Sequence, residues 1–176
     1  MTCIVGVVAD GKVHMGADSC GSNHTWRAVE NPKVFAVGDM LIGCTGTFRM
    51  IDVLRYQVAG VRRSDENDDR YIRFGFCENV RRLFQETGLS DGKSFNGSFL
   101  VGYKGHLYEI VGDFGVLNCP GWGMSVGSGE EAARGSLWTT REMGLSPEQR
   151  ISHALESAEA VIPSVRRPFV FRRDDG

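Results

Sequence analysis

Residues 2–18 read Thr-Cys-Ile-Val-Gly-Val-Val-Ala-Asp-Gly-Lys-Val-His-Met-Gly-Ala-Asp. Two runs flank Asp10-Gly11, a dipeptide that tolerates the positive φ angles of a tight hairpin turn. Cys3–Ala9 therefore reads as one strand and Lys12–Asp18 as its antiparallel return. The first run is apolar almost without interruption instead of alternating, which marks a strand covered on both faces. A sheet with two covered faces needs a layer on each side.

The rest of the chain supplies those layers. Lys33–Val37, the turn Gly38-Asp39 and Met40–Thr45 form a second hairpin, and the polar stretch Ser19–Glu30 between the hairpins reads as a loop. Arg49–Val58 predicts a helix. Asp69–Thr87 predicts a longer one, with Ile72, Phe76, Val80, Leu83 and Phe84 at helical spacing. Asn67, Asp68 or Asp69 is placed to cap its start and Gly88 to end it. Ser98–Tyr103, the turn Lys104-Gly105 and His106–Val111 make a third hairpin, and Met124–Val126 a short strand. Two helices follow, Glu130–Glu142 and Pro147–Ala160, the second with Ser146 as N-cap and Pro147 in its first turn. Pro168–Arg172 closes as a strand. Strands, helices, strands, helices predict two antiparallel sheets between helical layers, a four-layer α-β-β-α sandwich of the α+β class, in a single domain spanning 1–176.

Composition narrows the function. The 176 residues carry 41% hydrophobic and 24% charged residues and a formal net charge of -2, which gives no electrostatic reason to expect nucleic acid or an anionic membrane as partner. The basic pairs Arg62-Arg63, Arg81-Arg82 and Arg172-Arg173 read as solvated faces. Ile4–Ala9 is too short to span a membrane and has no positive segment before it. Five cysteines, at 3, 20, 44, 77 and 119, form no C-x-x-C pair, so neither a disulfide framework nor a zinc site is expected. A reduced, cytoplasmic protein without cofactor or metal is the expectation.

The hairpin ends gather a chemically coherent set. A two-residue Asp10-Gly11 turn pairs residues summing to 21 and sets Asp18 opposite Cys3; one bulged residue makes the sum 20 and sets Asp18 opposite Thr2. Only the second register puts the Thr2 and Asp18 side chains on one face. In the second hairpin the sum is 77, so Lys33 faces Cys44 and Gly46 lies just beyond. Laying the hairpins side by side brings Thr2, Asp18, Lys33 and Gly46 to one edge. A hydroxyl nucleophile needs a base, and a chain-terminal threonine carries one in its α-amine, with a reference pKa of about 7.7–8.0. A lysine lowers the cost of negative charge on the hydroxyl oxygen, an aspartate orients the lysine, and a glycine N–H serves an oxyanion. Taken singly, Asp18 and Lys33 are an ordinary strand-end ion pair and Gly46 a turn glycine.

Thr2-Cys3-Ile4-Val5, Gly16-Ala17-Asp18-Ser19, Lys33-Val34, Ile42-Gly43-Cys44-Thr45-Gly46 and Gly127-Ser128-Gly129, in that order, resemble the proteasome β-subunit family, including the bacterial HslV-type peptidase. The resemblance spans nearly the whole chain. It implies an N-terminal nucleophile hydrolase, a threonine peptidase acting through an acyl-enzyme on Thr2 once Met1 is removed. Asp18 and Lys33 would be its charge pair, Gly46 its oxyanion donor, and Gly21, Phe35, Cys44 and Phe48 the walls of its specificity pocket. Two roles are open to Ser128: holding the terminal amine, or capping the helix at Glu130. The resemblance further implies a homo-oligomeric ring, two rings stacked, that takes peptides or unfolded protein, with any ATP-dependent unfoldase a separate protein because no phosphate-binding loop is present here. Where the family commonly has a further aspartate and serine, Ile162-Pro163-Ser164-Val165-Arg166-Arg167 offers no carboxylate. Three rivals stand beside this reading: Cys3 as nucleophile, as in glutamine amidotransferases; a small-molecule amidase on the same fold; and a ring-forming assembly protein without chemistry.

Overall fold

A computed structural model describes residues 2–23, 25–58 and 67–174. Strands β1 (Cys3–Ala9) and β2 (Lys12–Ala17) form the first hairpin. They lie in a four-stranded antiparallel sheet of order β10-β1-β2-β11, completed by β10 (Met124–Gly127) and β11 (Val170–Arg173). A second, five-stranded sheet has the order β5-β6-β7-β8-β9, from β5 (Val34–Val37), β6 (Met40–Cys44), β7 (Phe99–Tyr103), β8 (His106–Ile110) and β9 (Val116–Asn118).

Side-chain alternation divides the interior into three cores. Ile4, Val13, Met15 and Ala17 of the first sheet meet Val34, Leu41, Leu100 and Leu107 of the second. The opposite face of the first sheet, through Cys3, Val5 and Val7, packs on α4 (Glu130–Thr140) and α5 (Pro147–Val161) by way of Ala133, Leu137, Ile151 and Leu155. The outer face of the second sheet, through Phe35, Ile42, Phe99 and Val101, packs on α1 (Phe48–Gln57) and α3 (Cys77–Glu86). The arrangement is the α-β-β-α sandwich expected from element order. Ser146 caps α5 in a reciprocal capping box with Gln149, and Asn67 caps the helical stretch that leads into α3.

Four differences from the sequence reading stand out. The Ser19–Glu30 stretch is not simply a loop: β3 (Cys20–Asn23) and β4 (Thr25–Ala28) pair as a two-stranded ribbon. Its short polar strands carry no apolar periodicity to announce them. The predicted helix 69–87 is interrupted: a short α2 (Asp68–Arg70) runs into a π-helical stretch, Tyr71–Phe76, before α3 begins. At Gly75 a Cβ would come 2.7 Å from the Tyr71 ring, so this turn closes only because position 75 has no side chain. Strand β9 was not anticipated, and its three residues are mostly exposed. The first hairpin adopts the sum-21 register, with Ile4 opposite Ala17 and Val5 opposite Gly16. Asp10 and Gly11 both take positive φ, 51° and 70°, as a two-residue turn requires. Arg81, Arg82, Arg172 and Arg173 are exposed, whereas Arg62-Arg63 lie outside the described residues.

Candidate active site

The register places Asp18 opposite Cys3, not Thr2, so the bulged alternative is corrected. The Asp18 N–H still donates across the pair to the Cys3 carbonyl at 3.3 Å, and the carboxylate gathers three donors. Its Oδ1 accepts from the Cys3 N–H at 2.9 Å and from Lys33 Nζ at 2.9 Å, while Oδ2 accepts from the Cys20 N–H at 2.9 Å. The Lys33 ammonium also donates to the Cys20 carbonyl at 2.7 Å. Side-chain exposure is 2% for Lys33 and 0% for Asp18. Burying two ions costs several kcal/mol each unless their bonding capacity is filled. The carboxylate here holds three donors, and the ammonium has donated twice, leaving one of its three protons.

Lys33 arrives from the other sheet as the residue before β5. The second hairpin has the expected sum of 77, with Val34 opposite Gly43. One step further, the Cys44 N–H donates to the Lys33 carbonyl at 2.9 Å. The Lys33–Asp18 bridge thereby ties the end of one hairpin to the end of the other.

Thr2 is 5% exposed. Its N–H donates to Ser128 Oγ at 3.2 Å, and Ser128 Oγ donates back to the Thr2 carbonyl at 3.2 Å. Ser128 makes no cap bond to α4, whose N-cap is Gly129. Ser128 Oγ therefore bonds the backbone of Thr2 on both sides of its Cα. Gly127 has φ +102°, and a Cβ there would collide with the Thr2 carbonyl, so only glycine lets the β10 end approach this closely. Met1 and its removal lie outside the described residues.

Gly46 follows β6 with φ +99°, walled by Met50 and Asn96. Thr47 begins α1 by accepting the Met50 N–H on its hydroxyl at 3.2 Å. Gly21 and Phe48 are neighbours: a Cβ on Gly21 would sit 3.1 Å from Phe48 Cζ. Phe48 is 42% exposed. Phe35 and Cys44 are buried in the core beneath α1, and Cys44 donates its thiol proton to the Thr45 carbonyl at 3.1 Å. Of the four residues expected to wall a pocket, Gly21, Phe35 and Cys44 are buried and Phe48 is exposed.

Cys3 is fully buried, with Sγ against the Gly129 backbone. Burial and the adjacent Asp18 carboxylate push its thiol up to about 12. A thiol so held is almost wholly protonated at neutral pH and inert as a nucleophile.

Sequence reasoning missed the part played by backbone groups. The amides of Cys3 and Cys20 and the carbonyl of Cys20 complete the ion pair, and no residue-type signal announces them. Among the described residues no group of three or more His, Cys, Asp or Glu is placed to hold a metal ion, and no helix is long and apolar enough to cross a membrane.

No protein-family model matches the sequence, and no curated protein sequence does. Solved structures do resemble it. Thiobacillus denitrificans BPH superposes with a TM-score of 0.84 at 16% identity, over 98% of this chain and 97% of that one. A BPH structure in complex with epoxomicin gives 0.83 at 18%. Eukaryotic HslV from Trypanosoma brucei gives 0.75 at 14% identity, over 98% of each chain. The chain has the fold of the proteasome-like N-terminal nucleophile hydrolases.

Proposed function

We propose that this chain is a threonine peptidase whose nucleophile is Thr2 after removal of Met1. The observation that carries the reading is the fully buried Lys33–Asp18 pair, which joins the end of β2 to the start of β5, with one ammonium proton unspent by the described residues. A buried charge pair at the start of a strand costs free energy that an apolar pair would not. That cost is understood if the lysine must stabilise negative charge on a neighbouring oxygen.

The chemistry follows from the groups at hand. Thr2 Oγ attacks the carbonyl carbon of the scissile amide and passes its proton to its own α-amine. The oxyanion of the tetrahedral intermediate takes the Gly46 N–H. Collapse breaks the C–N bond, the protonated amine gives its proton to the departing amino group, and an ester on Thr2 remains. Water, deprotonated by the same amine, hydrolyses that ester and restores the hydroxyl. Ser128 orients the amine throughout. Self-association into a ring, with two rings stacked, completes the proposal, and a separate unfoldase would deliver protein substrates.

Because one relative was solved with epoxomicin, that α′,β′-epoxyketone is the natural probe. A terminal threonine offers amine and hydroxyl together, and both are needed to close the adduct ring. The purified protein should lack Met1, hydrolyse short fluorogenic peptides, and carry the adduct on Thr2 by peptide mapping. Thr2→Ala should lose both properties, and Cys3→Ser should keep them. An adduct on Cys3, or an active enzyme with Met1 fully retained, would overturn the mechanism. Turnover of a small amide with no peptide cleavage would favour the amidase rival, and no turnover at all the assembly protein.

A further inference from the structure

The ladder between β6 and β7 is irregular at its last rung, immediately before Gly46. Cys44 lies opposite Phe99. At the next pair the Thr45 N–H donates to the Ser98 carbonyl at 3.1 Å. A regular antiparallel pair of this kind returns a second bond, from the Ser98 N–H to the Thr45 carbonyl. Here the Ser98 N–H instead donates to Thr45 Oγ1 at 3.0 Å, and that hydroxyl donates its own proton to the Ser98 carbonyl at 2.7 Å. The displaced Thr45 carbonyl accepts from Cys44 Sγ.

This exchange has a directional consequence. A peptide group is planar, with C=O and N–H pointing opposite ways, so the direction taken by the Thr45 carbonyl sets that of the Gly46 N–H. No described residue accepts from the Gly46 N–H. The surrounding packing holds the peptide in this orientation: Met50 Cε and the Asn96 carbonyl lie 2.8 and 3.0 Å from where a Gly46 Cβ would stand, and the Thr45 carbonyl 3.3 Å from that of Gly97. Thr45 itself is 6% exposed. Its methyl group bears on Gly127, 3.1 Å from the Cβ position there, and Gly127 abuts the Thr2 carbonyl. One side chain therefore touches both the loop bearing Gly46 and the turn that holds Thr2.

We propose that Thr45 is a positioning residue: its hydroxyl stands in for its own carbonyl in the ladder, turning the Thr45–Gly46 peptide so that the Gly46 N–H is kept for the substrate oxyanion. The role rests on the peptidase reading above. It requires a hydroxyl, not merely a β-branched side chain.

Thr45→Val and Thr45→Ser on the assembled protein separate shape from hydroxyl. With a fluorogenic peptide, Thr45→Val should lower kcat by about 100-fold, the scale of losing one oxyanion donor, with KM little changed. Thr45→Ser should recover most of the rate, and a peptide aldehyde, which binds as a tetrahedral hemiacetal, should weaken in step with kcat/KM for Val but not for Ser. A crystal structure of Thr45→Val, or of Thr45→Ala if Val does not assemble, should show the Ser98 N–H moved onto the residue-45 carbonyl. Wild-type kcat in an active Thr45→Val enzyme, or a residue-45 carbonyl that keeps its wild-type direction in that structure, overturns the role of Thr45 and leaves the peptidase reading standing. A wild-type protein that cleaves no peptide overturns that reading and the catalytic part of this one together.

Discussion

Lys33 Nζ lies 2.9 Å from Asp18 Oδ1, and the bond joins the ends of two hairpins belonging to different sheets. It is a clamp between layers and, in the proposed mechanism, the source of the positive charge that serves Thr2. The two duties can be separated by substitution.

Lys33→Ala should abolish peptide turnover. It also leaves Asp18 buried with only its two amide donors, so stability should fall by about 3 kcal/mol, the lower end for breaking a buried pair. Denaturant titration of Lys33→Ala and of the double variant Lys33→Ala/Asp18→Asn measures this. The double variant should recover part of the stability and none of the activity. Wild-type rates in Lys33→Ala would remove the lysine from the mechanism.

Ser128→Ala should lower kcat more than KM, because the hydroxyl touches Thr2 at its nitrogen and carbonyl. A neutral hydrogen bond contributes about 1 kcal/mol, so the thermal midpoint should shift only slightly. The α4 helix should be unaffected, its N-cap being Gly129. A helix-wide rise in amide exchange over Glu130–Thr140 would instead mark Ser128 as a cap.

Glu109 sits half-buried on β8, and its carboxyl is held above the usual range, first by burial and then by repulsion from Glu130, with Arg134 opposing. A raised carboxyl penalises the folded state while it is ionised there. Glu109→Gln should therefore be more stable than wild type at neutral pH. The advantage should shrink as pH falls through the raised pKa and vanish below about 4, where the wild-type residue is protonated folded and unfolded alike. Melting curves from pH 4 to 8 test the sign; an advantage that grows toward acid contradicts it.

The proposed ring should appear as a mass many times the 19.4 kDa of one chain. Light scattering that returned a monomer across micromolar concentrations would exclude it. Gly21 and the exposed Phe48 beside it carry no charge, so cleavage should favour uncharged residues before the cut bond. A peptide library dominated by Arg or Asp there would contradict that assignment.

Much of the architecture was legible because covered strands and two-residue turns leave strong marks. Gly38-Asp39 dictated the register that brings Lys33 level with Cys44, and Asp10-Gly11 favoured the register that is observed. Strict alternation puts the Thr2 and Asp18 side chains on one face only in the other register. Asp18 instead stays opposite Cys3, its N–H donating to the Cys3 carbonyl at 3.3 Å, with its carboxylate bonded to Lys33. The Cys20–Ala28 ribbon was illegible for a different reason: its sequence has no apolar alternation. The Ser128–Thr2 bond was illegible in local sequence, because its partners lie 126 residues apart.

The pinning of Asp174 bears on how the protein should be handled. Its N–H donates to the Val13 carbonyl at 2.9 Å, and its carboxylate accepts the Val13 N–H at 3.3 Å. The chain thus leaves β11 beside the Asp10-Gly11 turn, at the opposite end of β2 from Asp18. Affinity tags, fluorophores and surface tethers belong on that side. Under the proposed mechanism, the same appendage ahead of Thr2 would convert a basic amine into an amide nitrogen, and a preparation made that way should score as dead without being misfolded.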